Sequence, residues 1–109
     1  MENLELICFQ MISNAGMAKS SFAEAMQEAE AGHFDAAEEK VKEGKEFLIN
    51  GHTVHAGLIQ KEAAGDRTDM NLLLVHAEDQ LISCEILELM AETNLRQARR
   101  LAVLEAAAA

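Results

Sequence analysis

Two residue types in the stretch LLLVHAEDQL, residues 72 to 81, are out of place in an apolar helix: a histidine and, three residues on, an aspartate. A neutral imidazole nitrogen is a competent nucleophile near pH 7. A carboxylate among apolar neighbours is costly unless it is paired, protonated or bound to a cation. His76 and Asp79 are therefore the first candidates for chemistry, with Gln80 one turn after His76 as a group able to orient a ring or donate a hydrogen bond.

The setting of Asp79 follows from the pattern of the third apolar segment, about residues 69 to 100. One stripe reads Met70, Leu73, Ala77, Leu81, Cys84, Leu87 and Ala91 and can pack inside one chain. A second reads Leu72, Val75, Asp79, Ile82, Ile86, Leu89 and Thr93, in alternating steps of three and four, which is a coiled-coil seam. A three-helix monomer cannot readily bury both, so the second predicts self-association. The mixture of Leu and β-branched residues leaves dimer and trimer open. Asp79 then meets its own copies. Shared protons, tilting into water or a hard divalent cation such as Mg²⁺ would each relieve the repulsion. His76 falls between the stripes, beside Gln80, at the lip of a groove between subunits, where local hydrogen bonds would hold its ring.

The chain has 109 residues and is read as a single domain over 1–109, with 101–109 as a frayed or added tail. Half of it is hydrophobic, it has no Pro, Trp or Tyr, and Ala, Leu, Met, Glu and Lys dominate, which is helix-forming composition. Breaks fall at EAGHFD and AAGDRTD. Gly32 and Gly65 end helices there, Asp35 is expected to cap the second helix, and Thr68 or Asp69 the third. The first segment, about 3 to 30, presents Cys8, Ile12, Ala15, Ala18, Phe22, Met26 and Ala29. The second, about 35 to 64, presents Ala37, Val41, Leu48, His55, Ile59 and Ala63, interrupted by Gly44 and Gly51. Short connections make the expected fold all-α, an antiparallel up-down-up three-helix bundle.

A net charge of −10, from 19 acids against 9 bases, disfavours nucleic acid and anionic membrane surfaces as partners and favours a basic protein. No apolar run is long enough to cross a membrane, and MENLELICFQ lacks the features of a signal peptide. Cys8 and Cys84 stand alone and read as reduced core thiols, so a cytoplasmic protein is expected. His33 is expected in solvent at a turn, His52 and His55 in helix packing or at the surface, and Glu78 toward solvent or a partner.

The string LLLVHAEDQL resembles the signature of the lactose/cellobiose-type enzyme IIA proteins of the bacterial sugar phosphotransferase system. SNAGMAKSSFAEAMQEAEAGHFDAAEE and GHTVHAGLIQKEAAG are similar to that family's first helix, turn and second helix, so the resemblance spans residues 3 to 100. It implies a homotrimer with the third helices near a three-fold axis. It implies that His76 takes a phosphoryl group on Nε2 from the phosphocarrier HPr and passes it to a cysteine of a IIB component, during uptake of a β-linked disaccharide of the lactose, cellobiose or chitobiose class. It implies a structural divalent cation, Mg²⁺ or another, at Asp79 on the axis; Gln80, where some relatives carry His, would orient the ring or contact the phosphoryl group. The other readings are a helical adaptor that keeps the fold without the chemistry, and a metal-binding bundle, against which stands the single His/Asp pair.

Overall fold

The structure is a computed structural model describing residues 3–109. Three helices account for nearly all of them: α1 (Leu4–Glu30), α2 (Phe34–Ala63) and α3 (Leu72–Ala108). They form a slender up-down-up bundle of 62 × 20 × 19 Å.

Local chemistry sets the helix ends. Asn3 and Asn71 lie in extended backbone, and their side-chain oxygens accept from the amides of Leu6 (2.7 Å) and Leu74 (2.8 Å). Each cap satisfies a donor the helix leaves unpaired. The cap of α3 is therefore Asn71, not Thr68 or Asp69. The Thr68 amide instead donates to Glu62 Oε2 at 2.9 Å, which folds the linker back on the end of α2. Nor does Asp35 cap α2: His33 holds the cap position without a side-chain bond, and Asp35 sits inside the first turn, where a negative charge meets the helix dipole. Gly32 (φ 83°) and Gly65 (φ 92°) close α1 and α2 as expected. Each closure pairs two amides: His33 to Glu28 O and Gly32 to Ala29 O at the first, Asp66 to Lys61 O and Gly65 to Glu62 O at the second. That is the Schellman arrangement. At the other end, α3 runs to Ala108 rather than stopping near residue 100.

The buried rows of all three helices step by three, four or their sum of seven: Cys8, Met11, Ala15, Ala18, Phe22, Ala25, Ala29 on α1, with Ser21 buried beside Phe22; Ala37, Val41, Gly44, Leu48, Gly51, Leu58 on α2; Leu74, Ala77, Leu81, Cys84, Ala91, Leu95 on α3. A repeat of 3.5 residues suits helices packed side by side with a slight left-handed twist. The expected stripe of α2 needs correction on this account. Steps of four carry His55, Ile59 and Ala63 around the helix, leaving His55 half-buried and the other two exposed, while Leu58 takes the core position. The glycines of α2 mark close approach: a Cβ at Gly44 would stand 2.5 Å from the Phe22 ring, and one at Gly51 2.8 Å from Leu81 Cδ1.

Contact between α2 and α3 is the leanest of the three, and charge supplements it. Glu38, Lys45 and His52 of α2, seven residues apart, face Arg99, Glu92 and Glu85 of α3, also seven apart, at 2.6, 2.7 and 2.5 Å. A further pair, His55 Nε2 to Glu78 Oε2 at 2.9 Å, extends the ladder toward the start of α3.

The second stripe of α3 is left without cover in one chain. Val75 is 50%, Ile82 57%, Ile86 58% and Leu89 64% exposed. Asp79 lies among them, also exposed.

Candidate functional site

His76 sits in the second turn of α3, one turn past the Asn71 cap. It is exposed, and its ring has no hydrogen-bond partner among the described residues. The local bonds expected to hold it are absent within one chain. An exposed imidazole without a partner is what a transferable nucleophile needs.

Gln80 shares the face of His76, four residues on, where helical neighbours stand about 5–6 Å apart at Cβ. Its Oε1 accepts from Lys19 Nζ of α1 at 2.7 Å. An ammonium has only donors, so this bond fixes which end of the amide faces Lys19. The Gln80 amide nitrogen, with two donors, is not engaged in that bond. Lys19 is half-buried and reaches from α1 to α3 through this bond. Its charge is felt at Cys84, one turn beyond Gln80, where it opposes the effect of burial on the thiol.

Sequence reading did not select Lys19. A signal was available: one base beside the α1 core stripe of a strongly acidic chain, in the segment that resembles the family's first helix. What places it against Gln80 is tertiary packing.

Asp79 is separate from this cluster. Its backbone oxygen accepts from the Ser83 hydroxyl at 2.7 Å, while its carboxylate has no partner among the described residues. Among the described residues no group of three or more His, Cys, Asp or Glu side chains could hold a metal ion. One chain therefore supplies one carboxylate. The donor fits a hard divalent cation only if symmetry copies bring further oxygens to it.

The other candidates fall outside the cluster. Glu78 is half-buried within the chain rather than fully in solvent, and takes the Nε2–H of His55. His52 likewise pairs with Glu85, so both α2 histidines are occupied with helix packing. His33, at the turn, bonds Glu28 Oε2 at 2.9 Å while remaining largely exposed. The Cys8 and Cys84 thiols are fully buried, and burial raises both above the usual thiol range, with acidic neighbours adding to it. Cys84 Sγ–H donates weakly to Ala15 O at 3.8 Å. Neither is a nucleophile in the folded chain.

The fold is an all-α three-helix bundle, and its candidate site is an exposed histidine on α3 with no hydrogen-bond partner among the described residues. Residues 6–99 match the family described as "PTS system, Lactose/Cellobiose specific IIA subunit", and the chain belongs to that family. It is 39% identical over 90 residues to a lichenan-specific phosphotransferase enzyme IIA component of Bacillus subtilis, covering 83% of this chain and 82% of the relative. It is 33% identical over 87 residues to a lactose-specific EIIA component of Streptococcus mutans, covering 80% and 84%. A crystal structure of a cellobiose-specific enzyme IIA from Bacillus anthracis superposes with a TM-score of 0.89 at 33% identity, over 94% of this chain and 95% of that one. The chain is thus a IIA component of the sugar phosphotransferase system, a phosphotransferase component with a carrier role in sugar uptake. No helix among the described residues is long and apolar enough to cross a membrane.

Proposed function

We propose that His76 is the phosphoryl carrier of this chain. The observation that carries the reading is an exposed imidazole with no partner, held on a rigid helix beside an amide donor and an ammonium. The donor is HPr, and the acceptor is a cysteine of a IIB component acting on a β-linked disaccharide of the lactose, cellobiose or chitobiose class. All of this takes place in the cytoplasm.

Phosphoryl transfer asks little covalent chemistry of the protein and much positioning. A neutral His76 offers the lone pair of Nε2 in line with the phosphorus–nitrogen bond of the donor. The new P–N bond forms as the old one breaks, and the donor nitrogen keeps the electron pair. The other nitrogen of His76 keeps its proton. In the onward step a thiolate replaces His76 on phosphorus, and the imidazole leaves neutral. The Gln80 amide nitrogen donates to a phosphoryl oxygen. The acidic surface suits a donor whose docking face is basic.

The chain works as a homotrimer, with Val75, Ile82, Ile86 and Leu89 of three copies covering one another. The Asp79 carboxylates then meet, and together they would hold a divalent cation such as Mg²⁺. When bound, the cation neutralises their charge; it takes no part in transfer.

The test is phosphoryl acceptance. With phosphoenolpyruvate, enzyme I and HPr, intact mass should show one phosphoryl group per chain, acid-labile and base-stable. His76→Ala should take none. A folded native chain that takes none overturns the carrier reading and leaves a helical adaptor that keeps only the fold.

A further inference from the structure

The geometry points to Lys19 as a positioning residue for phosphoryl transfer, acting through Gln80; this rests on the reading of His76 as the carrier. Three observations bear on it.

The first is the company Lys19 keeps. The other half-buried bases each meet a carboxylate, Lys40 at Glu24 and Glu43, Lys45 at Glu92 and Lys61 at Asp66, whereas the bases with no carboxylate partner, Lys42, Arg67, Arg96 and Arg100, are exposed. Lys19 is half-buried, yet its bond is to a neutral amide, at 2.7 Å. Acids outnumber bases two to one here, and still no carboxylate cancels this charge. Its bond is therefore made to the Gln80 amide and not to a carboxylate.

The second is the direction it imposes. Gln80 alone is symmetric enough to turn either end toward His76. With Lys19 on Oε1, the amide N–H groups are the end left for the His76 side. An amide oxygen facing a phosphoryl group would repel it; an amide nitrogen donates to it. Lys19 thereby makes Gln80 a donor before any phosphoryl group arrives.

The third is rigidity. Ala15 and Ala18 are fully buried beside Lys19 in the sequence, Ala15 O takes the Cys84 thiol of α3 at 3.8 Å, and Lys19 reaches from α1 to Gln80 of α3 at 2.7 Å, so both ends of the bond stand on packed helices. Positioning groups of this kind act by removing reorganisation from the transfer step.

The experiment measures the rate of phosphoryl acceptance from phosphorylated HPr for the native full chain, Lys19→Met, Lys19→Arg, Gln80→Leu, the double variant Lys19→Met/Gln80→Leu, and His76→Ala. Melting temperature and oligomeric state are recorded for each, and Lys19→Gln replaces the Met variant if that one melts early. Lys19→Met should slow acceptance by about tenfold to a hundredfold, the range that misplaced positioning groups cost. Lys19→Arg should restore most of the rate. In the Gln80→Leu background, removing Lys19 should cost nothing further, because the two act as one unit. A native rate for Lys19→Met overturns the proposal. So does an Arg variant as slow as the Met variant, or a loss that adds to that of Gln80→Leu. Failure of the carrier reading looks different: the native chain takes no phosphoryl group, or His76→Ala still does, and the role of Lys19 falls with it.

Discussion

His76 and the two cysteines are opposite cases of the same question, which nucleophile water and partners can reach. The imidazole is exposed, and both thiols are sealed. Alkylation of Cys8 and Cys84 should be slow in the native protein and fast in denaturant, as a timed iodoacetamide reaction read by mass would show. Burial, the leading cause, holds both thiols protonated above their usual range. Lys45 is raised too, foremost by its bond to Glu92. A folded-state value raised above the unfolded one gives stability that is complete at lower pH and is lost as pH climbs. Melting temperature should therefore hold steady near neutrality and fall once pH passes the unfolded thiol range, about 8.5. A midpoint that rises between pH 8 and 10 would contradict this. At this scale the sequence was partly legible. His76, Asp79 and Gln80 stand out because their chemistry clashes with their apolar neighbours. Lys19 does not, since its meaning lies in a contact 61 residues away along the chain.

At the scale of the helix, the turns were readable because Gly32 and Gly65 do something other residues resist, adopting positive φ. The caps were not. Thr68, Asp69 and Asn71 are all good caps by type, and the choice among them was made by Glu62 reaching back to the Thr68 amide. The glycines of α2 also separate by packing alone. Gly44→Ala gains helix propensity of about 1 kcal/mol. It also drives a methyl into a fully buried Phe22 ring, at 2.5 Å, and overpacking costs about 1–3 kcal/mol. The net should be destabilising. Gly57→Ala, with nothing within 4 Å, should stabilise by about 0.5–1 kcal/mol. Urea midpoints of the two variants should shift in opposite directions; a shared sign would mean that the α1–α2 contact is looser than it stands.

For the whole molecule, the two-faced third helix was legible because its two stripes cannot both be met by α1 and α2. The exposed row from Leu72 to Leu89 is what the pattern demanded. Light scattering at micromolar concentration should give three times the mass of the chain; a monomer would defeat the trimer reading. Asp79→Leu should keep or raise the melting temperature of the assembly, because an apolar seam no longer brings like charges together. A chelator should lower the melting temperature of the native protein and leave phosphoryl acceptance by the intact trimer unchanged. Loss of acceptance on chelation would give the cation a part in the transfer.

The ladder between α2 and α3 has a bearing on how the chain finds this arrangement. Exposed ion pairs contribute little to stability, about 0–1 kcal/mol each. Apolar seams that repeat every seven residues, however, fit nearly as well when one helix slides past the other by seven. The order of charges removes that ambiguity. Sliding α3 one heptad one way sets Glu38 against Glu92; sliding it the other way sets Lys45 against Arg99. Each misalignment confronts like charges, and only the native one pairs every rung. The ladder thus favours the native register of α3 against α2 over either heptad-shifted one. In that alignment Gln80 on α3 meets Lys19 on α1.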